Sequence, residues 1–328
     1  MLPRFAMGES ENHEAGVSAD DLPALKGELT LYLGRGEGGL YEKVIKAIEK
    51  RNPKFTLNIR RGPTAALANT IVAEAKMGVL RADVFWAVDS GAIGLVAETG
   101  KARTLPESIT SQVDPRFRKK SWVPITGRVR TVPFHTGRLS AEDVPTDVMD
   151  IAKGKHKIGW APAYGAFQSF ITAMRLAEGK DATRAWLRDV KKRAKDYAGE
   201  LGVALAVSRG EVDIGFANHY YTLRLKKGDP KAKINLAFTR NDAGCLLNAS
   251  GAMALRGGDL ATNFIRYLLS REVQSYLAEE AYEIPMITGG ETPKGLPPLK
   301  DIHPPEVDLS KLADMQPTLD LMREARVL

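Results

Sequence analysis

The sequence predicts an α/β protein of two lobes, each a mostly parallel sheet flanked by helices, joined by strands that cross between the lobes. Three observations lead there. Short apolar strands alternate with helical stretches along the chain, which is the pattern of strand–helix–strand units. With 328 residues the chain can bury substantial cores, in one large domain or in two lobes. The alternating segment "WVPITGRVRTVPFHT", residues 122–136, meets Pro133, which suits a strand passing between two bodies better than one central to a single sheet.

The elements follow in order. Residues 1–27 form a leader, polar and acidic from residue 8 onward, that reads as a flexible tether. "LTLYL" at 29–33 is a strand, and a helix follows over about 38–51. "FTLNI" at 55–59 is the next strand, then a helix at about 65–77, the strand "ADVFWAV" at 82–88, and a helix at about 90–99. Beyond the crossing segment, "KIGWAP" at 157–162 is a strand, and "AYGAFQSFITAMRLAEG" is a helix starting near Tyr164. "DATRAWLRDVKKRAK" is a helix with Asp181 as its expected N-cap. A strand at 212–216 turns into a helix near Asn218. Strands at 234–238 and 250–255 precede two helices within 258–283, broken at Ser270. The proline-rich tail "PPLKDIHPPEVDLSKL" wraps before a closing helix at about 315–326. Lobe 1 then takes 28–128 and 242–300, lobe 2 takes 129–241, and 301–328 is the wrap and last helix, with crossings near 125–135 and 238–250.

Composition narrows the function. Hydrophobic content of 44% and charged content of 27% are ordinary for a globular protein, and no apolar run approaches the roughly 18 residues of a membrane span. The N-terminus lacks the basic start, apolar stretch and cleavage site of a signal peptide, so the chain is either cytoplasmic or trimmed of its targeting segment. One cysteine, Cys245, excludes intramolecular disulfides and multi-cysteine metal sites, and it reads as a small buried residue. The net charge of +7 hints at an anionic partner. The basic residues are spread along helical faces, however, and no RNA-binding or zinc-finger spacing appears, so no nucleic-acid partner is expected.

Gly34, Gly36 and Gly39 follow the first strand in the spacing G-x-G-x-x-G, the local context of a dinucleotide fingerprint. The acidic residue expected at the end of the second strand is replaced by Arg60 and Arg61. Those arginines suit a 2′-phosphate, which keeps an NADP-dependent oxidoreductase open. Against it, Arg35 and Glu37 put charges where a dinucleotide needs close backbone approach, and the histidines (13, 135, 156, 219 and 303) show neither metal spacing nor an evident carboxylate partner. The loop reads better as a helix N-terminus open to an anion.

A second constellation is "GFANHYYTLRL". Adjacent tyrosines such as Tyr220 and Tyr221 ordinarily divide, one in the core and one at the surface. Tyr164 changes that balance, because it also stands at a strand end that opens a helix, where ligands bind in open α/β sheets. Three phenolates would match a trivalent hard cation better than zinc or copper, which favour nitrogen and sulfur, or calcium and magnesium, which take carboxylates and carbonyls. A phenol ionises near pH 10, so binding at neutral pH needs a strong local charge such as ferric iron.

Taken together, "ADVFWAVDSGAIG", "SWVPITGRVRT", "IGWAPAYGAFQ", "GEVDIGFANHYY" and "YLLSREVQSYLAEEAYEIPMI" resemble the ferric-iron-binding subunits of bacterial ABC transporters, in order from about residue 28 to residue 328. "NHYY" and "PAYGAF" are the iron-specific part. The resemblance implies a two-lobed periplasmic-binding-protein fold with hinge strands, transferrin-like, closing over one ferric ion. It implies Tyr164, Tyr220 and Tyr221 as metal ligands, and Arg35 and Arg128 as the grip on a synergistic carbonate or bicarbonate. Gly36, where some branches carry a histidine ligand, Glu37, Asn218 and Gly165 are accessory positions. Asp89 is expected to cap a helix, and His219 to stand behind the ligands. Glu200, near where phosphate-binding branches place an asparagine, argues against phosphate. The implied protein is no enzyme. It is a monomeric periplasmic or cell-surface carrier whose cargo is Fe(3+) and whose partner is an ABC permease in the inner membrane. The same scaffold holding an organic or phosphorus-containing anion is the alternative.

Overall fold

The computed structural model describes residues 16–34 and 39–328. The chain divides into two compact units. The first takes the residues up to Gly127 together with Ala249–Lys294, and the second takes Arg128–Asn248 and Gly295–Leu328.

The first unit opens with strand β1 (Gly27–Gly34), helix α1 (Leu40–Arg51), β2 (Phe55–Gly62), α2 (Thr64–Lys76), β3 (Val84–Ala87), α3 (Ser90–Ala97) and the short α4 (Glu107–Thr110). β1 lies between β2 and β3, parallel to both, with Leu31 opposite Ile59 and Val84. The period of two decides which side chain goes where. Leu29, Leu31, Leu33, Val84 and Trp86 enter one core with Val44, Ile45 and Ile48 of α1. Tyr32, Phe85 and Ala87 enter a second core with Leu67 and Ile71 of α2. Helices therefore cover both faces, as a parallel sheet requires. Asp89 accepts a bond from the Ala92 amide at 2.9 Å and caps α3, as expected.

β4 (Val123–Phe134) begins in this unit and continues in the second from Arg128. There follow α5 (Val148–Lys153), β5 (Ile158–Trp160), α6 (Gly165–Glu178), α7 (Lys180–Lys191), β6 (Ala194–Asp196), α8 (Glu200–Ser208), β7 (Ile214–Gly215), β8 (Ala217–Asn218), α9 (His219–Gly228) and β9 (Asn235–Ala237). β5 runs parallel to β6 and β7, while β7, β8 and β9 pair antiparallel with β4. The core of this unit is aromatic. Trp160, Phe167, Phe170, Trp186 and Phe216 pack with ring centroids 5.4–6.4 Å apart.

β10 (Leu247–Ala254) returns the chain to the first unit, antiparallel to β3, and leads to α10 (Gly258–Leu268), α11 (Arg271–Ala281) and β11 (Ile284–Pro285). The break between α10 and α11 falls at Ser270. Helix α12 (Gln316–Glu324) packs on α6 and α7 of the second unit.

Three expectations need correction. Residues 16–27 are not a tether, since Ala19 and Leu25 are buried in the core of the first unit and the Ser18 hydroxyl donates to Glu272 at 2.6 Å. Asp181 does not cap α7. Gly179 ends α6 at φ 86° and the chain re-enters a helix at once, so Asp181 lies in the first turn and pairs with Arg184 at 2.5 Å. The single strand expected at 212–216 is two short strands separated at Phe216, because β7 pairs with β5 and with Phe134, while Ala217 of β8 pairs with Thr131.

Candidate metal and anion site

β5 leads through residues 161–164 into α6, β8 runs directly into α9, and those two junctions carry the tyrosines. Tyr164 occupies the N-cap position of α6, in extended backbone, and its carbonyl receives the Phe167 and Gln168 amides. Asn218 holds the same position on α9, which places Tyr220 and Tyr221 in that helix's first turn. Tyr220 and Tyr221 are buried, and their rings lie 4.7 Å apart. The Tyr221 and Tyr164 hydroxyls share a hydrogen bond of 2.9 Å, and the Asn218 amide nitrogen donates to the Tyr220 hydroxyl at 3.2 Å. Two phenol oxygens thus meet beside two helix N-termini, and the ring of the third tyrosine packs against that of Tyr221 with its oxygen on Asn218. Two phenolates at hydrogen-bond distance would repel, and a cation between them removes that repulsion.

A small recess in the same unit is lined by Arg128, Arg130, Ala166, Asn218, Leu246 and Asn248. Arg130 is 2% exposed and Glu200 is fully buried. Their side chains form an ion pair through Nη1 and Oε1. The other Glu200 oxygen accepts the Asn218 amide at 2.8 Å, and Arg130 Nη2 donates to the Ala166 carbonyl at 2.6 Å. Glu200 is therefore satisfied within the protein. His219 is fully buried, and its Nδ1 accepts the Val129 amide at 3.1 Å, which requires that nitrogen to be unprotonated. At Gly165 an added Cβ would meet nothing within 4 Å, so the start of α6 is open there.

Of the sequence-selected residues, the structure gathers Tyr164, Tyr220, Tyr221, Arg128, Asn218 and Gly165 in the second unit. Arg35, Gly36 and Glu37 lie outside the described residues. Among the described residues, no group of three or more His, Cys, Asp or Glu side chains could hold a metal. Cys245 is buried, and burial pushes its thiol up to about 12. Arg60 and Arg61, the proposed 2′-phosphate grip, already have partners: Arg60 donates to Tyr32 at 3.2 Å, and Arg61 meets Glu42 at 3.3 Å.

Sequence reasoning missed two residues. Arg130 follows Arg128 by two along a strand, and that period puts both on one face. Arg224 follows Tyr220 by one helical turn, and its guanidinium carbon lies 4.7 Å from the centre of the Tyr220 ring. Both signals were present in "GRVR" and "YYTLR".

Two α/β units threaded by β4 and β10, with polar side chains collected at strand ends, define a solute-binding protein. The chain belongs to the family described as bacterial extracellular solute-binding protein, whose model matches residues 29–283. It is 29% identical over 315 residues, 92% of this chain and 94% of the relative, to the major ferric iron-binding protein of Neisseria meningitidis serogroup A. It is 30% identical over 283 residues, 83% of each chain, to the Fe(3+)-binding periplasmic protein of Serratia marcescens. Among solved structures, iron-bound HitA from Pseudomonas aeruginosa matches with a TM-score of 0.80 at 27% identity, over 92% of this chain and 99% of that one. Trichodesmium IdiA (FutA), in complex with iron and citrate, shares the fold with a TM-score of 0.77 at 23% identity, over 91% and 99%. Among the described residues no helix is long and apolar enough to cross a membrane.

Proposed function

We propose that this protein is a periplasmic carrier that captures ferric iron through the phenolate oxygens of Tyr164, Tyr220 and Tyr221 and passes it to an ABC permease in the inner membrane. The observation that carries this reading is the 2.9 Å contact between the Tyr164 and Tyr221 hydroxyls, with Tyr220 beside Tyr221 on the same helix turn. Relatives named for ferric iron support it. Arg128, and Arg35 from the glycine loop, hold a carbonate-like oxyanion that completes the coordination, because a guanidinium fork matches a planar anion bidentately. The protein acts as a monomer and performs no catalysis.

The same scaffold holding an organic or phosphorus-containing anion without metal leaves the clustered phenols without a role. An NADP-dependent oxidoreductase is weakened by the partners already held by Arg60 and Arg61. Adding a ferric salt to the purified protein decides among these. Phenolate-to-iron charge transfer gives an orange-red solution with one ion per chain, and a colourless protein that retains no iron overturns the proposal.

A further inference from the structure

Arg130 is not a ligand in the proposed site, yet it touches what carries every ligand. Its Nη2 bonds the Ala166 carbonyl in the first turn of α6, the helix that opens at Tyr164. Its Nη1 bonds Glu200, whose second oxygen takes the amide of Asn218, the N-cap of α9, ahead of Tyr220 and Tyr221. Asn218 then reaches the Tyr220 hydroxyl with its side-chain amide. The register of β4 against β8 sets Arg130 directly opposite Asn218, and the Phe170 ring lies 5.5 Å from the guanidinium carbon.

A buried ion pair of this kind is a poor device for stability alone, since apolar residues of similar volume often serve as well or better. Among the described residues Arg130 Nε has no hydrogen-bond partner despite its burial, which adds a desolvation cost. What the pair supplies is geometry. A planar fork joins two helix starts through fixed directions, and a flexible ammonium cannot reproduce both.

We propose that the Arg130–Glu200 pair is the positioning device of the metal site. It fixes the first turn of α6 against the N-cap of α9 and so sets the spacing of the three phenol oxygens. The inference rests on the ferric reading of the tyrosines for its consequence, although the spacing itself is a property of the metal-free protein.

The test uses the full chain with Arg130→Lys, which keeps the charge and loses the fork, and Arg130→Met/Glu200→Gln, which removes both charges so that none is left buried and unpaired. Circular dichroism establishes folding. Ferric titration reads affinity and the position of the charge-transfer band, and crystal structures of the metal-free variants read the Tyr164–Tyr221 oxygen separation. The expected result is folded protein with affinity lowered about 10–100-fold, as for other outer-shell partners of metal ligands, a displaced band, and phenol oxygens no longer within hydrogen-bond distance. If Arg130→Lys does not fold, the double variant decides. A folded variant with wild-type affinity, an unmoved band and the phenols still in contact overturns the positioning role. Wild-type protein that fails to colour with ferric salt overturns the ferric reading instead, and the oxygen separation alone then decides whether the pair positions the phenols.

Discussion

The hydroxyls of Tyr164 and Tyr221 meet at 2.9 Å although 57 residues of chain separate them. Each stands at the start of its own helix, α6 or α9, and each helix follows a strand of one sheet. The contact is a consequence of the α/β plan, which gathers strand ends and helix starts along one edge of the sheet.

Replacing Tyr221 by Phe keeps the buried ring and removes the oxygen shared with Tyr164. Ferric affinity is expected to fall by more than about 100-fold, beyond the loss typical of an outer-shell partner, with a weakened charge-transfer band. Titration followed by visible absorption checks this. Undiminished affinity and an unchanged band would remove Tyr221 from the ligand set.

Arg128→Lys retains the positive charge in the recess and gives up bidentate geometry. A hydrogen bond to a charged group contributes about 1.5–3 kcal/mol, so iron loading in bicarbonate-limited buffer should weaken by roughly tenfold or more. Restoring bicarbonate should recover part of it. Normal loading without bicarbonate would show that Arg128 does not hold the anion.

Acid should release the metal before it unfolds the protein. A phenol must lose a proton to bind iron, and its ordinary pKa is about 10, so protons compete with the metal well above the pH range in which carboxylates titrate. The visible band, followed against pH with far-ultraviolet circular dichroism in parallel, should bleach first. Colour that persists until the helices melt would require carboxylate ligands, and Glu37 is the first to test.

Asp213 gives a separate pH dependence. Burial pushes its carboxyl up, but the Lys157 amide at 2.9 Å and the Arg138 guanidinium at 2.9 Å outweigh that and leave it below its ordinary value. A depressed carboxyl contributes stability above its unfolded pKa of about 3.9, and that stability is lost as pH falls through the lower folded value. Asp213→Asn should therefore destabilise the protein near neutral pH, with the difference shrinking below about pH 4. Urea midpoints across that range check it, and a difference that grows on acidification would contradict the assignment.

Gly251 on β10 has no room for a methyl group, since an added Cβ would lie 2.9 Å from Cε3 of Trp122. Gly251→Ala should cost about 1–3 kcal/mol by overpacking, measured as a lowered urea midpoint. An unchanged midpoint would mean that the indole shifts freely.

The sequence by itself determined the alternation of strands and helices, the helix starts at Tyr164 and Asn218, the break at Ser270 and the Asp89 cap, because these depend on side chains within a few residues of one another. It also marked Tyr164, Tyr220 and Tyr221, since residue type and position at a strand end are local properties. Tertiary structure alone decided that the Tyr164 and Tyr221 hydroxyls touch, that Glu200 spends its charge on Arg130, and that Arg60 and Arg61 are engaged elsewhere. It also decided that the run before Asn218 splits at Phe216, where both halves lie against β4 but only the first also pairs with β5. The physical reason is that hydrogen bonds and ion pairs are satisfied by whatever group the fold brings within about 3 Å, and which group that is depends on the packing of elements far apart in the chain.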